Sequence, residues 1–208
     1  MKKLSEICVV SWDLDGTLYD MKSMRRVLNG QVVSRCLYHP WSGTKDMIEL
    51  LGLQKKMTAA RGDVVEVEAY LRSEKGERFL ELQAEWISAA ISVCGPRKET
   101  HSVMQAVQNR GLKQVVFSDY PVGRKLEVLG VLPWVDHIVA AADTYQVKPD
   151  IRSFQRMCDE MQVQPNQVLH VGDRMDTDGG AEAAGIHTLI LGRDIENLSQ
   201  VAERLSRV

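Results

Sequence analysis

An α/β protein, a doubly wound parallel sheet with a small helical lobe inserted into it, is expected from three features of the 208-residue sequence. Five short runs rich in Val and Ile are apolar on both parities, as strands buried on both faces are. Segments with helical apolar spacing separate them, and strands alternating with helices of about 10–15 residues indicate βαβ units. The third feature is an uneven interval. Ser118 to Lys148 spans 30 residues and Lys148 to Asp173 spans 25, each about one repeat, but Asp13 to Ser118 spans 105.

The first strand is expected in ICVVSW (7–12). The excess length follows it, roughly from Asp20 to Gly95, and reads almost entirely helical. In ERFLELQAEWISAAISVC (77–94), Phe79, Leu80, Trp86, Ile87, Ala90, Ile91 and Cys94 recur at helical intervals, which makes this an amphipathic core helix. A helix in RKETHSVMQAVQNRG stops at Gly111 and leads into a strand in QVVFS (114–118). HIVAA (137–141) is the third strand. DIRSFQRMCDEM follows as a helix, with Asp150 placed as its N-cap. VLHVG (168–172) and HTLIL (187–191) are the last two strands, with a helix in DTDGGAEAAG between them that stops at Gly185. ENLSQVAERLSRV is the closing helix. The expected division is an α/β core of residues 1–19 and 96–208 with a helical cap of residues 20–95.

Composition narrows the function. With 44% hydrophobic and 26% charged residues, the chain is ordinary for a globular protein. A formal net charge of −2 gives no pull toward nucleic acid or anionic membrane. No apolar run approaches the ~20 residues of a membrane span. The opening MKKLSEICVV runs straight into an acidic motif, so a cleaved signal peptide is not expected. The four cysteines, Cys8, Cys36, Cys94 and Cys158, have no metal-ligand spacing and read as reduced thiols in a cytoplasmic protein.

Four polar clusters each follow a strand-like run. Asp13 and Asp15 follow the first, and Ser118 and Asp119 end the second. Lys148 lies past the third, and Asp173, Asp176 and Asp178 follow the fourth. Ligands of open parallel sheets bind beyond the carboxyl ends of the strands, so all four clusters fall on the edge where a site belongs. The crowding of Asp13 and Asp15 needs an offset. Two like charges about 4 Å apart repel by roughly 4 kcal/mol at an effective dielectric of 20.

DLDGT, VVFSDYP, VKPD and VGDRMDTD, in this order, resemble the four motifs of the haloacid dehalogenase-like (HAD) hydrolase superfamily. LKQVVFSD, KPDIRSFQRM and GAEAAGIHTLIL are similar to its phosphatase branch, in which a helical cap follows the first motif. The resemblance covers residues 7–20 and 97–192 and is weak across the cap. It implies a Mg²⁺-dependent phosphomonoesterase acting on a small phosphorylated metabolite. Asp13 would be the nucleophile that forms an aspartyl-phosphate. Asp15 would protonate the leaving alcohol and then deprotonate the hydrolytic water. Ser118 and Lys148 would hold the phosphoryl oxygens, with Asp119 beside them. Gly16 and Thr17 would bring main-chain N–H groups close to the phosphate. Asp13, the Asp15 carbonyl and Asp173 would hold Mg²⁺, which takes oxygen ligands. Asp178 would orient Lys148 or a metal-bound water. On this reading the cation and Lys148 offset the crowded acids.

The acid at Asp15 favours phosphate esters over carbon–halogen bonds, because dehalogenases of the superfamily lack it. A phosphomutase, or an idle phosphate-binding relative, are the alternatives. Trp12 stands where the family often has Phe, and Asp119 where Asn is common. Outside the motifs, Asp176 reads as a cap or surface group, and His101, His137, His170 and His187 as structural. His39 in YHPWSG is a candidate cap-loop contact over the site, with an ordinary helix–helix turn as its simpler reading, and Arg61 in AARGD a candidate contact for an anionic substrate tail, with a solvated arginine near a turn as its simpler reading.

Overall fold

In the computed structural model, residues 4–38, 42–60, 63–140 and 145–206 are described. The expected contacts at His39 and Arg61 lie outside them, as does the Cys36 side chain. Five parallel strands form one sheet: β1 (Val9–Trp12), β2 (Lys113–Ser118), β3 (His137–Ala140), β4 (Val168–Gly172) and β5 (His187–Ile190). Their spatial order is β3-β2-β1-β4-β5. The chain runs outward from β1 to β3 and then returns to β1's other side for β4 and β5. That reversal is the topological switch point at which such sheets open a crevice.

Every residue of β1 and β4 is buried, as two-sided burial requires. Val10, Trp12 and Val116 face one apolar cluster, while Val9, Val115 and Phe117 face the other. The outermost strands are less covered, and Ile138 of β3 is 41% exposed. Trp12 is accommodated because its indole N–H donates to Gln114 Oε1 at 3.0 Å, and Gln114 in turn donates to the Met104 carbonyl at 2.9 Å. A buried indole needs such a partner.

Five described helices lie between β1 and β2, and the first four are α1 (Met21–Tyr38), α2 (Ser42–Ala60), α3 (Val64–Leu71) and α4 (Glu74–Cys94). Asp63 caps α3 and Ser73 caps α4 through side-chain oxygens that accept main-chain N–H bonds. The inner face of α4 is the expected one, with Phe79, Trp86, Ile87, Ala90 and Ile91 buried. Leu80 and Cys94 are half-buried.

The remaining helices are α5 (Thr100–Gln108), α6 (Lys125–Val128), α7 (Ile151–Met161), α8 (Gly180–Ala183) and α9 (Ser199–Ser206). Asp150 caps α7, accepting from the Arg152 N–H at 3.0 Å. None of the described helices is long and apolar enough to cross a membrane. Cys8, Cys94 and Cys158 are free thiols.

Candidate active site

Sheet register assembles the site. Trp12 pairs with Val116 on one side and Val171 on the other, so Asp13 leaves β1 level with the last residues of β2 and β4. The Asp13 N–H still donates to the Val171 carbonyl, at 2.8 Å. Ser118 and Asp173 therefore flank the first acid on either side.

Beyond Asp13 the chain must turn sharply under Asp173. Gly16 has φ +109°, and a Cβ there would lie 2.1 Å from an Asp173 carboxylate oxygen. Only glycine permits that approach. Gly172 is constrained in the same way, since its Cβ would lie 2.2 Å from Asp178 Cγ. Arg97 ties the turn down, donating to the Gly16 carbonyl at 2.6 Å and the Thr17 carbonyl at 3.0 Å.

Lys148 is 2% exposed, and its Nζ lies 2.6 Å from both Asp13 Oδ1 and Asp178 Oδ1. Burial alone would depress this ammonium, but the two carboxylates hold its pKa well above the lysine range. The other Asp13 oxygen accepts from the Thr17 hydroxyl at 2.9 Å. Burial raises the Asp13 pKa well above the carboxylate range. Lys148 opposes the rise, and Asp178 and Asp173 add to it.

Asp178 is fully engaged. Its Oδ1 also meets His170 Nε2 at 3.1 Å, and its Oδ2 accepts from the Asp173 and Arg174 N–H groups at 3.2 and 3.1 Å. Lys148 and His170 overcome burial and keep Asp178 far below its usual range. His170 is depressed by burial and so is neutral. Its Nδ1 lies 3.0 Å from the Ser11 hydroxyl, and this network places the ring proton on Nε2, toward Asp178. A row from Ser11 through His170 and Asp178 thus aims Lys148 at Asp13.

Asp15 has its own buried cation, which the sequence reading did not anticipate. Lys125 is 0% exposed, and its Nζ lies 3.0 Å from Asp15 Oδ1 and 3.3 Å from Oδ2. The Tyr19 hydroxyl donates to Oδ1 and the Ser118 hydroxyl to Oδ2, the latter at 3.2 Å. These donors outweigh burial and lower the Asp15 pKa. The crowded acids are therefore offset by one lysine each, Lys148 for Asp13 and Lys125 for Asp15. The sequence does carry a signal for Lys125, since it stands between buried Val122 and Leu129 at helical spacing. A lysine on an apolar stripe is seldom fully buried unless paired. Lys125 Nζ also lies 3.5 Å from Gln83 Oε1 of α4, which links the inserted helices to this acid.

Two expected phosphate contacts have other partners here. Asp119 Oδ1 accepts the Lys148 N–H at 2.8 Å and so fixes the lysine's loop. An ionised carboxylate has no proton to donate to a phosphoryl oxygen. The Ser118 hydroxyl faces Asp15 and also accepts from the Tyr120 N–H at 3.2 Å. Asp176 is exposed and paired with Arg174.

Oxygens of Asp13, Asp173 and Asp178 all lie within 4.8 Å of one another. Asp178 is spent on Lys148, His170 and two N–H groups, which leaves Asp13 and Asp173 as the available ligands. The Asp173 carboxylate makes no hydrogen bond among the described residues. Burial and Asp178 push its pKa up to about 6. A half-buried carboxylate with no hydrogen-bond donor among the described residues, beside a buried Asp13 carboxylate, is a donor set suited to a hard divalent cation.

The sequence signature of the haloacid dehalogenase-like hydrolases matches residues 7–185. The chain belongs to that family. It is 22% identical over 202 residues to the pyrophosphatase PpaX of Halalkalibacterium halodurans, an alignment covering 95% of this chain and 89% of that protein. Among solved structures, a HAD phosphatase from Thermococcus onnurineus is 19% identical, with a TM-score of 0.65 over 96% of this chain and 98% of the other. A 2-haloacid dehalogenase from Pseudomonas syringae pv. Tomato is 18% identical, with a TM-score of 0.64 over 97% and 99%. The fold is common to a phosphatase and a dehalogenase, so it does not by itself distinguish the two reactions.

Proposed function

We propose that this HAD-like hydrolase is a Mg²⁺-dependent phosphomonoesterase that works through an aspartyl-phosphate on Asp13. The observation that carries the reading is the pair of acids with separate cations. Lys148 is held 2.6 Å from Asp13, and a second carboxylate at Asp15 has a lysine of its own. In a dehalogenase the second acid would have no leaving group to protonate, because halide leaves without a proton.

An Asp13 oxygen attacks phosphorus, the Asp13–phosphorus bond forms, and the bond to the leaving alcohol breaks. Lys148 orients Asp13 and takes up phosphoryl charge, and such charge stabilisation is the main source of rate in phosphoryl transfer. Ser118 turns its hydroxyl from Asp15 to a phosphoryl oxygen, and the Gly16 and Thr17 N–H groups approach the others. Asp119 acts on phosphate only through the Lys148 loop.

Held by Lys125 and Tyr19, Asp15 is in its base form, ready to deprotonate the water that cleaves the intermediate. An arriving phosphate dianion raises its pKa, which lets it carry the proton needed by the alcohol. Mg²⁺, held by Asp13, Asp173 and the Asp15 carbonyl, would neutralise negative charge between nucleophile and phosphate. The helices of residues 20–95 act as the cap over this edge of the sheet.

The test is hydrolysis of a panel of phosphomonoesters with and without Mg²⁺. Turnover of at least one ester, lost in EDTA and restored by Mg²⁺, is expected. Equal turnover in EDTA removes the metal from the reading.

The raised Asp173 gives a pH test. Its folded pKa of about 6 stands above the reference 3.8, so the native state binds the extra proton between them. Without a cation, this group's contribution to stability is present below the unfolded pKa and is lost as pH rises to the folded one. Mg²⁺ relieves that cost. The melting-temperature rise from saturating Mg²⁺ is expected to be larger at a pH of about 7.5 than at about 5.5. The same rise at both would show that Asp173 is not a ligand.

A further inference from the structure

A cavity of about 320 Å³ is lined at once by Asp15 and by residues of α1, α2 and α4. Its walls are mostly apolar. Met24 and Leu50 are nearly fully buried there, and Leu28 and Ile87 pack beside them. Besides Asp15, Gln83 and two tyrosines, the polar side chains on the lining are Arg25 and Asn29, which stand four residues apart on one face of α1. The Arg25 guanidinium has no hydrogen-bond or ion-pair partner among the described residues. Most exposed arginines simply face solvent, but this one shares a cavity with the acid that serves the leaving group.

We propose that this cavity receives the leaving group, and that the preferred substrate is the phosphate ester of a compact, largely apolar alcohol or phenol carrying a carboxylate that pairs with Arg25. The inference rests on the phosphomonoesterase reading above. At about 320 Å³ the cavity is at the small end of ligand sites, which run from about 300 to 1,000 Å³. Apolar walls favour a hydrocarbon body and disfavour a bare second phosphate, whose desolvation they cannot offset. A guanidinium fork fits a carboxylate in bidentate fashion, and Asn29 adds an amide donor beside it. Pyrophosphate, which the name of the PpaX relative points to, lacks any apolar body and is therefore a poor fit.

The experiment compares 4-carboxyphenyl phosphate, phenyl phosphate, glycerol 3-phosphate and pyrophosphate under Mg²⁺, in wild type, Arg25→Ala and Arg25→Lys. Wild type is expected to show its highest kcat/KM on 4-carboxyphenyl phosphate and its lowest on pyrophosphate. Arg25→Ala is expected to cut the preference for the carboxylated over the plain phenyl ester by about tenfold, mainly through KM. That is the lower end for a charge-assisted contact partly open to water. Arg25→Lys is expected to restore part of it.

Calorimetric binding of 4-hydroxybenzoate and of phenol tests the cavity apart from the chemistry, with 4-hydroxybenzoate tighter in wild type and weakened in Arg25→Ala. An unchanged preference in Arg25→Ala, or pyrophosphate as the best substrate, overturns the inference and leaves the phosphohydrolase reading in place. Arginine-dependent binding without hydrolysis of any ester does the reverse.

Discussion

Asp13→Asn is expected to lower kcat on any ester the enzyme turns over by on the order of 10⁴-fold or more, with the fold intact. Losses of that size follow removal of a covalent nucleophile, because the remaining groups act only through it. An amide has no anionic oxygen to attack phosphorus, yet it is isosteric and still accepts from Thr17 or Lys148. Stability is expected to respond differently from turnover. Burial, Asp178 and Asp173 all push the Asp13 pKa up, so its ionised form is costly in the native state. Asparagine removes that cost while Lys148 keeps Asp178 at 2.6 Å. Circular dichroism melts are therefore expected to show a melting temperature close to wild type beside the lost turnover. Activity within tenfold of wild type, in a sample free of native enzyme, would end the covalent mechanism.

The same residues show what a sequence can reveal of such a site. Strands were legible because a buried parallel strand needs apolar residues on both faces, and ICVVSW and VLHVG have them. Asp13 and Asp173 were legible because each stands at the end of a strand-like run, Lys148 and Asp178 because they follow such runs within motifs that resemble the family's, and the switch-point topology brings those tips together. The distances follow from register, which fixes Asp13 between β2 and β4.

Partners off the strand tips were harder to read. His170 sits within β4 and reads as one more buried residue, but its ring proton fixes Asp178. Motif position points Asp119 and Ser118 toward phosphate, and nothing local in the sequence indicates that one fixes the Lys148 loop and the other faces Asp15. Lys125 comes from a helix of only four residues, so its one signal is the spacing to Val122 and Leu129 on either side, and nothing local says that Asp15 is its partner. The lobe of α1–α4 was legible as helical because its apolar spacing is local. Its cavity was not, because that depends on how separate helices meet.

Lys125→Met is expected to destabilise the protein by about 3–5 kcal/mol, the usual cost of removing one partner from a buried ion pair. For a chain of this length that corresponds to a fall of roughly 6–20 °C in melting temperature. The cause is the charge left behind rather than the lost lysine packing, since Met fills much of the same volume. In wild type, Lys125, Tyr19 and Ser118 outweigh burial and lower the Asp15 pKa. Such a group contributes stability above its unfolded pKa and loses it as pH falls through the folded one. Without Lys125, burial dominates and the sign reverses, so Asp15 penalises the native state near neutrality and is relieved on protonation. The gap between wild type and variant should accordingly narrow as pH falls toward about 4. Asp15→Asn in the Lys125→Met background removes the stranded charge and is expected to recover a substantial part of the loss, as a double-mutant cycle measures. It does not recover turnover, because the proton carrier has gone with the charge. If the double variant is no more stable than Lys125→Met alone, Lys125 serves packing, and the one-lysine-per-acid arrangement has no energetic meaning.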